Sequence, residues 1–149
     1  MLIRKMKQND AAEVYEMMRV FYDSPAVFHT SSDTVLKKDI EDCIGDTPFV
    51  EGFVFEEDGI LLGYAMTAPS YTTEYGGPCI WLEDLYIKPE YRHMGLGTKL
   101  FAYLEQQYPD AVRFKLEVEQ ENEHAIAVYK KNGYGISPYF EMTREMTEG

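Results

Sequence analysis

Residues 92–98 have the composition of a phosphate-binding turn, with one basic side chain and two glycines in the spacing R-x-x-G-x-G. An apolar strand pattern over Cys79–Ile87 precedes this turn, and a helical pattern over Leu96–Gln107 follows it. Unpaired backbone N–H groups and the positive end of the helix dipole converge at such a junction and attract anions. The predicted anion-binding residues are Arg92, His93, Met94, Gly95, Leu96, Gly97 and Thr98. A tight glycine turn without a ligand is the alternative.

The spacing of the glycines excludes two other phosphate-binding loops. The dinucleotide fingerprint requires G-x-G-x-x-G in an early strand-helix-strand unit, with an acidic residue about 20 positions later. A Walker loop requires G-K-S or G-K-T, and the sequence contains neither. The turn at residues 92–98 therefore belongs to neither class.

Two adjacent carboxylates, Glu83 and Asp84, interrupt the apolar strand pattern that precedes the turn. Neighbouring side chains on a strand point to opposite faces, so at least one carboxylate lies where charge is unfavourable unless it is paired or functional. A carboxylate in such a place can attract a cationic amine and accept its proton. The alternative is a strand-edge carboxylate that neighbouring backbone groups or a cation satisfy.

A second block of sequence strengthens the interpretation of the glycine turn. Residues Glu117–Tyr134 read as a strand followed by N-x-x-A-x-x-x-Y-x-x-x-G-Y, with the fixed positions at Asn122, Ala125, Tyr129, Gly133 and Tyr134. In order and spacing, the turn and this block resemble the two conserved blocks of the GNAT superfamily of acetyl-coenzyme A (acetyl-CoA) dependent N-acetyltransferases. The resemblance covers nearly the whole chain.

The resemblance implies acetyl-CoA as the co-substrate and a role for each matching residue. It places the strand residues Leu85, Tyr86 and Ile87 against the acetyl and pantetheine groups and the turn around the pyrophosphate. It also implies that Asn122 and Ala125 lie along the pantetheine arm, and that Tyr129 protonates the departing thiolate. Ordinary structural roles remain open: Arg92 as a loop cap, Asn122 as a helix N-cap and Tyr129 as a packing residue.

The tract Ile80–Tyr86, IWLEDLY, is similar to the diamine and polyamine acetyltransferase branch, in which the acidic pair is associated with the attacking amine. The resemblance implies that Glu83 is the general base, acting through water, and that Asp84 assists it or structures the site. The expected acceptor-binding residues are Tyr22, Asp23, Tyr71, Glu74 and Glu83. For the loop residues among them, a solvated turn is the alternative.

These features predict an enzyme that transfers acetyl from acetyl-CoA to a small cationic primary amine such as a polyamine or diamine. Amino acids, aminoglycosides and protein amines remain open as acceptors, and a non-catalytic acyl-CoA-binding sensor is the alternative from another class. Because the branch commonly forms homodimers, a homodimer is also expected.

Charge and composition narrow the class of protein. The net charge of −12 argues against nucleic acid and anionic membranes as partners and favours a cationic substrate, although solubility alone also explains an acidic surface. No apolar stretch is long enough for a signal peptide or a membrane span, so a cytoplasmic protein is expected. No metal site is expected, because Cys43 and Cys79 lack metal-ligand spacing and His29, His93 and His124 are scattered.

The 149 residues predict one domain, 1–149, with the element order βααβββαβαβ. The predicted strands are Leu2–Met6, Phe49–Glu56, Ile60–Ala68, Cys79–Ile87, Val112–Glu119 and Tyr139–Arg144. The predicted helices are Asp10–Phe21, Asp33 or Thr34 to Ile44, Leu96–Gln107 and Glu123–Asn132. Loops are expected at Tyr22–Thr34 and Tyr71–Pro78, with a hairpin turn at Glu57–Gly59. Periodicity indicates an α/β or α+β fold. The resemblance specifies the GNAT acyltransferase fold, a mixed sheet flanked by helices.

Overall fold

The chain folds around a five-stranded mixed sheet, and the computed structural model describes residues 1–148. The strands follow each other in chain order and are β1 (Leu2–Lys5), β2 (Glu51–Glu57), β3 (Ile60–Thr72), β4 (Gly77–Ile87) and β5 (Arg113–Leu116). The helices are α1 (Ala11–Tyr22), α2 (Asp33–Ile44), α3 (Leu96–Gln107) and α4 (Glu123–Lys131). The pairs from β1 to β4 are antiparallel, and β5 is parallel to β4. The predicted mixed sheet with flanking helices is confirmed.

The core has two layers because side chains alternate between the faces of the sheet. Val54 packs with α1 and α2, while its neighbours Phe53 and Phe55 pack with α3. Helix α1 contributes Val14, Met17 and Met18 to the first layer, and α2 contributes Leu36, Ile40 and Cys43. Helix α3 contributes Leu96, Leu100, Phe101 and Leu104 to the second. Each of these three helices thus buries one apolar stripe.

Local signals fix several element boundaries as predicted. Helix α2 begins after Ser32, whose hydroxyl accepts a hydrogen bond from the amide of Val35, and it is followed by Gly45. The β2–β3 hairpin turns at Asp58 and Gly59, which both have positive φ, as a two-residue hairpin loop requires. Cys43 and Cys79 are free and buried.

The predicted loop Tyr71–Pro78 is wrong at both ends. Tyr71 pairs with Pro78 and Thr72 with Gly77, so β3 and β4 extend to a short turn at residues 73–76. Gly76, at φ +71°, supplies the left-handed conformation that lets the ladder continue to the turn.

The predicted closing strand Tyr139–Arg144 is also wrong. Residues 135–148 form no strand, and no backbone–backbone hydrogen bond within residues 1–148 involves residues 136–148. The hydroxyl of Tyr139 donates to Glu74 at 2.8 Å, which is a side-chain contact and does not extend the sheet. A strand needs a neighbouring ladder, and this segment has none inside its own chain.

None of the helices in the described part of the chain is long and apolar enough to cross a membrane.

Candidate active site

A β-bulge at Glu83 determines the geometry of the site. Leu82 pairs with Thr67 of β3 and Asp84 pairs with Met66, so Glu83 has no partner on β3. Residues two apart on a regular strand share a face, but Leu82 packs in the α3 layer whereas Asp84 contacts Tyr64 of the α1/α2 layer. One extra residue therefore rotates the second half of β4 and re-aims its side chains.

Beyond the bulge, β4 separates from β5. The two strands pair only over Cys79–Leu82 and Arg113–Leu116, which leaves residues 83–87 without a neighbour on that side. The gap forms a cavity of about 760 Å³, which we call the cleft. Its walls are the second half of β4, the glycine turn, residues 116–119 after β5 and the inner face of α4, and residues 24–26 after α1 cover one end.

The backbone of β4 presents hydrogen-bonding groups to the cleft. The amide of Lys88 donates to Leu62 of β3. Antiparallel pairs alternate between bonded and non-bonded positions, so Tyr86 also bonds to β3, while Leu85 and Ile87 direct their N–H and C=O groups towards the cleft. The carbonyl of Ile87 accepts a hydrogen bond from Nε of Arg92 at 2.8 Å, which ties the glycine turn to the strand.

The glycine turn ends where α3 begins. Gly95 lies at the N-cap of α3 with φ +77°, and the first-turn residues Leu96, Gly97 and Thr98 line the cleft. The first amides of a helix have no intrahelical acceptor, so this end of the cleft carries N–H donors and the positive helix end. Arg92 and His93 also line it, whereas the exposed side chain of Met94 does not.

Glu83 lines the cleft at the bulge, between the unpaired half of β4 and the residues that follow β5. Desolvation by the surrounding protein raises the pKa of this carboxyl, and the nearby charges of Asp84 and Glu141 raise it further. A carboxylate with a raised pKa is a better proton acceptor near neutral pH. Glu117 also lines the cleft, and a hydrogen bond with Glu141 raises its pKa to about 7.

Asp84 lies behind the cleft and does not line it. Its two carboxylate oxygens accept hydrogen bonds from the hydroxyls of Tyr22, at 2.8 Å, and Tyr64, at 2.9 Å. Burial raises the pKa of Asp84 to about 6, although the two hydroxyl hydrogen bonds lower it. The predicted acceptor-binding residue Tyr22 is thus used to hold Asp84. The hydrogen bond between Tyr22 and Asp84 joins the end of α1 to β4.

Tyr129 lies half-buried in the wall of the cleft formed by α4. Its ring packs edge-on against the rings of Phe101 and Tyr134, with centroid–centroid distances of 5.9 Å and 6.1 Å. Desolvation raises the pKa of its phenol, which keeps the hydroxyl protonated. Ala125, one turn before Tyr129 on α4, also lines the cleft. Asn122 lines the cleft too, and its Oδ1 caps α4 by accepting a hydrogen bond from the amide of Ala125.

Three predicted acceptor-binding residues lie outside the cleft. Asp23 forms an ion pair with Arg19 at 3.0 Å near the end of α1. Tyr71 lies on β3, and Glu74, in the β3–β4 turn, forms an ion pair with Arg113 at 2.7 Å. The structure therefore places Glu83 in the cleft and leaves the other four predicted acceptor residues outside its lining.

The structure also places residues in the cleft that the sequence analysis did not select, among them Glu117, His124, Lys131 and residues 24–26. Glu117 and His124 belong to the second sequence block, so their position near Asn122 was the available signal. His93 and His124, which are far apart in sequence, have ring centroids 4.5 Å apart.

Comparison with known proteins decides the family. The sequence profile described as "Acetyltransferase (GNAT) family" matches residues 11–134. The chain belongs to the GNAT acetyltransferase family. This protein is accordingly an N-acetyltransferase.

Two relatives and one solved structure show which acetyltransferases the GNAT chain is similar to. It is 30% identical over 144 residues to thialysine N-epsilon-acetyltransferase of Sus scrofa, covering 89% of this chain and 82% of the relative. It is 29% identical over 122 residues to spermine/spermidine N(1)-acetyltransferase of Bacillus subtilis strain 168, covering 78% of each. The structure of AAC(6′)-Iy in complex with a bisubstrate analogue superposes with a TM-score of 0.79 at 17% identity, covering 98% of both chains.

Asp84 makes the stability of the protein depend on pH. Its folded-state pKa of about 6 lies above the value near 3.9 of an unfolded aspartate, so the folded state holds the proton more tightly. The free energy of unfolding therefore falls as the pH rises from about 4 to about 6. Asp84→Asn removes this titration, and we expect the stability of wild type relative to the variant to fall by about 2 kcal/mol between about pH 4.5 and about pH 7.5.

Urea unfolding of both proteins at the two pH values measures this difference. Asp110→Asn, which replaces an exposed carboxylate, is the control and should retain the pH dependence of wild type. If the difference between wild type and Asp84→Asn is the same at both pH values, Asp84 does not titrate as the structure indicates.

Proposed function

We propose that the protein transfers the acetyl group of acetyl-CoA to the primary amine of a small cationic substrate, a polyamine or diamine. The observation that carries this proposal is the bulge at Glu83, because it separates β4 from β5 and places a carboxylate in the resulting cleft. The cleft thus combines space for an extended co-substrate with a group that can accept a proton.

The residues of the cleft fit acetyl-CoA. Leu85 and Ile87 present backbone amide and carbonyl groups that lack strand partners, and the amides of a pantetheine arm can pair with them as an added strand would. The glycine turn and the first turn of α3 supply N–H donors for the pyrophosphate. The order of these groups along the cleft, from α3 to the bulge, directs the thioester towards Glu83.

The chemistry requires the removal of two protons from the nitrogen and the supply of one proton to the sulfur. A primary alkylamine has a pKa near 10 and arrives as an ammonium ion, from which Glu83 accepts a proton through water. The free amine then attacks the thioester carbonyl, a C–N bond forms, and N–H donors of β4 stabilise the negative charge on oxygen. Tyr129 donates a proton to the sulfur as the C–S bond breaks, the nitrogen releases its second proton, which restores the phenol, and Glu83 returns the first proton to solvent.

The acidic end of the cleft favours a cationic acceptor. Glu83 and Glu117 line it, and Glu141 lies close enough to share a hydrogen bond with Glu117. Coulomb attraction to these carboxylates and to a chain of net charge −12 raises the local concentration of a dication. The names of the thialysine and spermine/spermidine relatives agree with an acceptor that carries a second amine or a comparable cationic group.

A thiol-release assay at about pH 8 with a panel of amines tests the acceptor. We expect spermidine and short diamines to exceed amino acids, aminoglycosides and N-terminal peptides in kcat/KM. Glu83→Gln should lower kcat/KM for diamines by roughly 10²-fold, since the variant loses the proton acceptor. Glu90→Gln, outside the cleft, is the control and should match wild type. CoA binding without turnover of any amine would favour the sensor alternative.

Tyr129→Phe tests the general acid. The variant keeps the packing against Phe101 and Tyr134 but loses the proton donor, so kcat should fall by roughly 10²-fold while the Kd of CoA stays unchanged. Tyr103→Phe is a control, because Tyr103 packs on Phe53 and does not line the cleft. Steady-state kinetics with the best amine and calorimetry with CoA provide both readouts. An unchanged kcat would remove this role from Tyr129.

We also propose that the protein forms a homodimer through residues 136–146. Apolar Ile136, Phe140, Met142 and Met146 occupy even positions of this segment, as in a strand, yet Phe140 is 100% exposed and Met142 93%. Within the described residues β5 pairs only with β4, so its other edge can accept a strand from a second copy. Covering these side chains and their backbone buries on the order of 800 Å² per copy, the size of a standard interface.

Light scattering after size-exclusion chromatography tests the homodimer. We expect wild type to elute as a dimer at micromolar concentration and the double variant Phe140→Asp, Met142→Asp to elute as a folded monomer, because charge opposes burial of the segment. Phe28→Asp is the matched control, since Phe28 is 90% exposed in the loop between α1 and α2. A monomeric wild type would exclude this interface.

A further inference from the structure

The loop between α1 and α2, residues 23–32, covers the bulge end of the cleft. Its residues 24–26 line the cleft. The hydroxyl of Tyr22, at the end of α1, donates to Asp84 at 2.8 Å, so the chain enters this loop beside the bulge. Residues 24–26 therefore lie at the half of the cleft that contains Glu83.

Backbone hydrogen bonds hold only the first half of this loop. The amide of Ser24 donates to Phe21 at 3.1 Å, and the amide of Val27 donates to Ser24 at 3.3 Å. Within residues 1–148, no backbone–backbone hydrogen bond involves residues 28–31. A segment without such bonds has many accessible conformations, so side-chain contacts decide which of them is populated.

Arg19 of α1 supplies those contacts at both ends of the loop. At the start of the loop, its Nε and Nη2 donate to the carboxylate of Asp23 at 3.2 and 3.0 Å. At the end of the loop, Nη2 contacts the hydroxyl of Thr30 at 2.8 Å and the carbonyl of Ser31 at 2.9 Å. Nη1 donates to Asp33 of α2 at 2.9 Å, and the hydroxyl of Thr30 donates to Asp23 at 3.0 Å. One guanidinium thus joins the two ends, and we call these contacts the Arg19 clamp.

The chemistry of the side chain suits this clamp. A guanidinium carries five N–H donors in a fixed planar fork, which lets one residue reach several acceptors in different directions. Asp23 and Asp33 are 56% and 64% exposed, and ion pairs with such exposed partners contribute little to the stability of a fold. The clamp therefore acts on the conformation of the loop more than on the stability of the whole protein.

We propose that Arg19 is a positioning residue for the acceptor amine, an inference that rests on the proposed function. The clamp holds Pro25 and Ala26 in the wall of the cleft, where their apolar surfaces contact the methylene chain of a diamine whose amine lies at Glu83. Because the loop is ordered before the acceptor binds, the acceptor does not have to order it. Asp23, which the sequence analysis placed in the acceptor site, is then one end of the clamp.

Arg19→Gln tests the clamp with putrescine as the acceptor. We expect KM for putrescine to rise by about tenfold, since ordering a single loop residue on binding weakens affinity by roughly that factor. The value of kcat and the Kd of CoA should stay within about twofold of wild type, because the variant leaves Glu83 and Tyr129 in place. Lys38→Gln is the matched control: it breaks an ion pair of 2.7 Å on α2 and should match wild type.

Thr30→Val tests the same clamp from the other end of the loop. The variant keeps the shape of an exposed side chain and removes the hydroxyl that contacts both Arg19 and Asp23, so its folding is not at risk. We expect KM to rise by about threefold, as loss of one ordinary hydrogen bond predicts. The double variant should have the KM of Arg19→Gln alone, because both changes act through one clamp. Effects on KM that multiply would overturn the proposal.

Cleavage by chymotrypsin after Phe28, which is 90% exposed in this loop, reports the conformation of the loop without any assay of activity. Arg19→Gln should raise the cleavage rate by about tenfold, since proteolysis follows the population of the open form. A KM that rises without faster cleavage, or faster cleavage with an unchanged KM, would overturn the proposal and leave the proposed function intact. A wild-type protein that acetylates no diamine would overturn both.

Discussion

The structure depends on one extra residue in β4. Because Glu83 has no partner on β3, the strand rotates between Leu82 and Asp84. The two halves of β4 therefore differ in the strands to which they are hydrogen-bonded. The first half continues the sheet into β5, and the second half leaves it. The same rotation turns Asp84 into the α1/α2 layer and leaves Glu83 in the cleft. A regular strand would pair along its whole length, and the cleft would not exist.

The two carboxylates then differ in what surrounds them. Asp84 is buried, and the hydroxyls of Tyr22 and Tyr64 satisfy both of its oxygens, so it fixes the end of α1 against the strand. Glu83 faces the cleft and has no such donors within the described residues, which leaves it free to exchange a proton. We propose that these adjacent residues of the same chemical type hold a structural position, Asp84, and a reactive one, Glu83. The buried carboxylate of Asp84 lowers the stability of the protein above about pH 6, while its two hydrogen bonds tie β4 to α1 and β3.

Sequence patterns predicted the features that local interactions determine. The bounds of α3, the N-terminus of α2 and the turn at Asp58 and Gly59 depend on caps, glycines and periodicity, and they were predicted closely. The bulge at Glu83, the hydrogen bonds to Asp84 and the contact between His93 and His124 join residues far apart in sequence, so periodicity carries no signal for them. The closing strand over residues 139–144 was predicted wrongly, because the residues of a segment indicate that it suits a sheet but not which edge it joins.

We propose that the unpaired half of β4 binds the co-substrate through its backbone. Hydrogen exchange of single amides, followed by NMR with and without CoA, tests this most directly. We expect the amides of Leu85 and Ile87 to exchange quickly in the free protein and to become protected when CoA binds. The amide of Tyr86, which already bonds to β3, should be protected in both states. If CoA binds and leaves the exchange of Leu85 and Ile87 unchanged, the co-substrate lies elsewhere and the claim is contradicted.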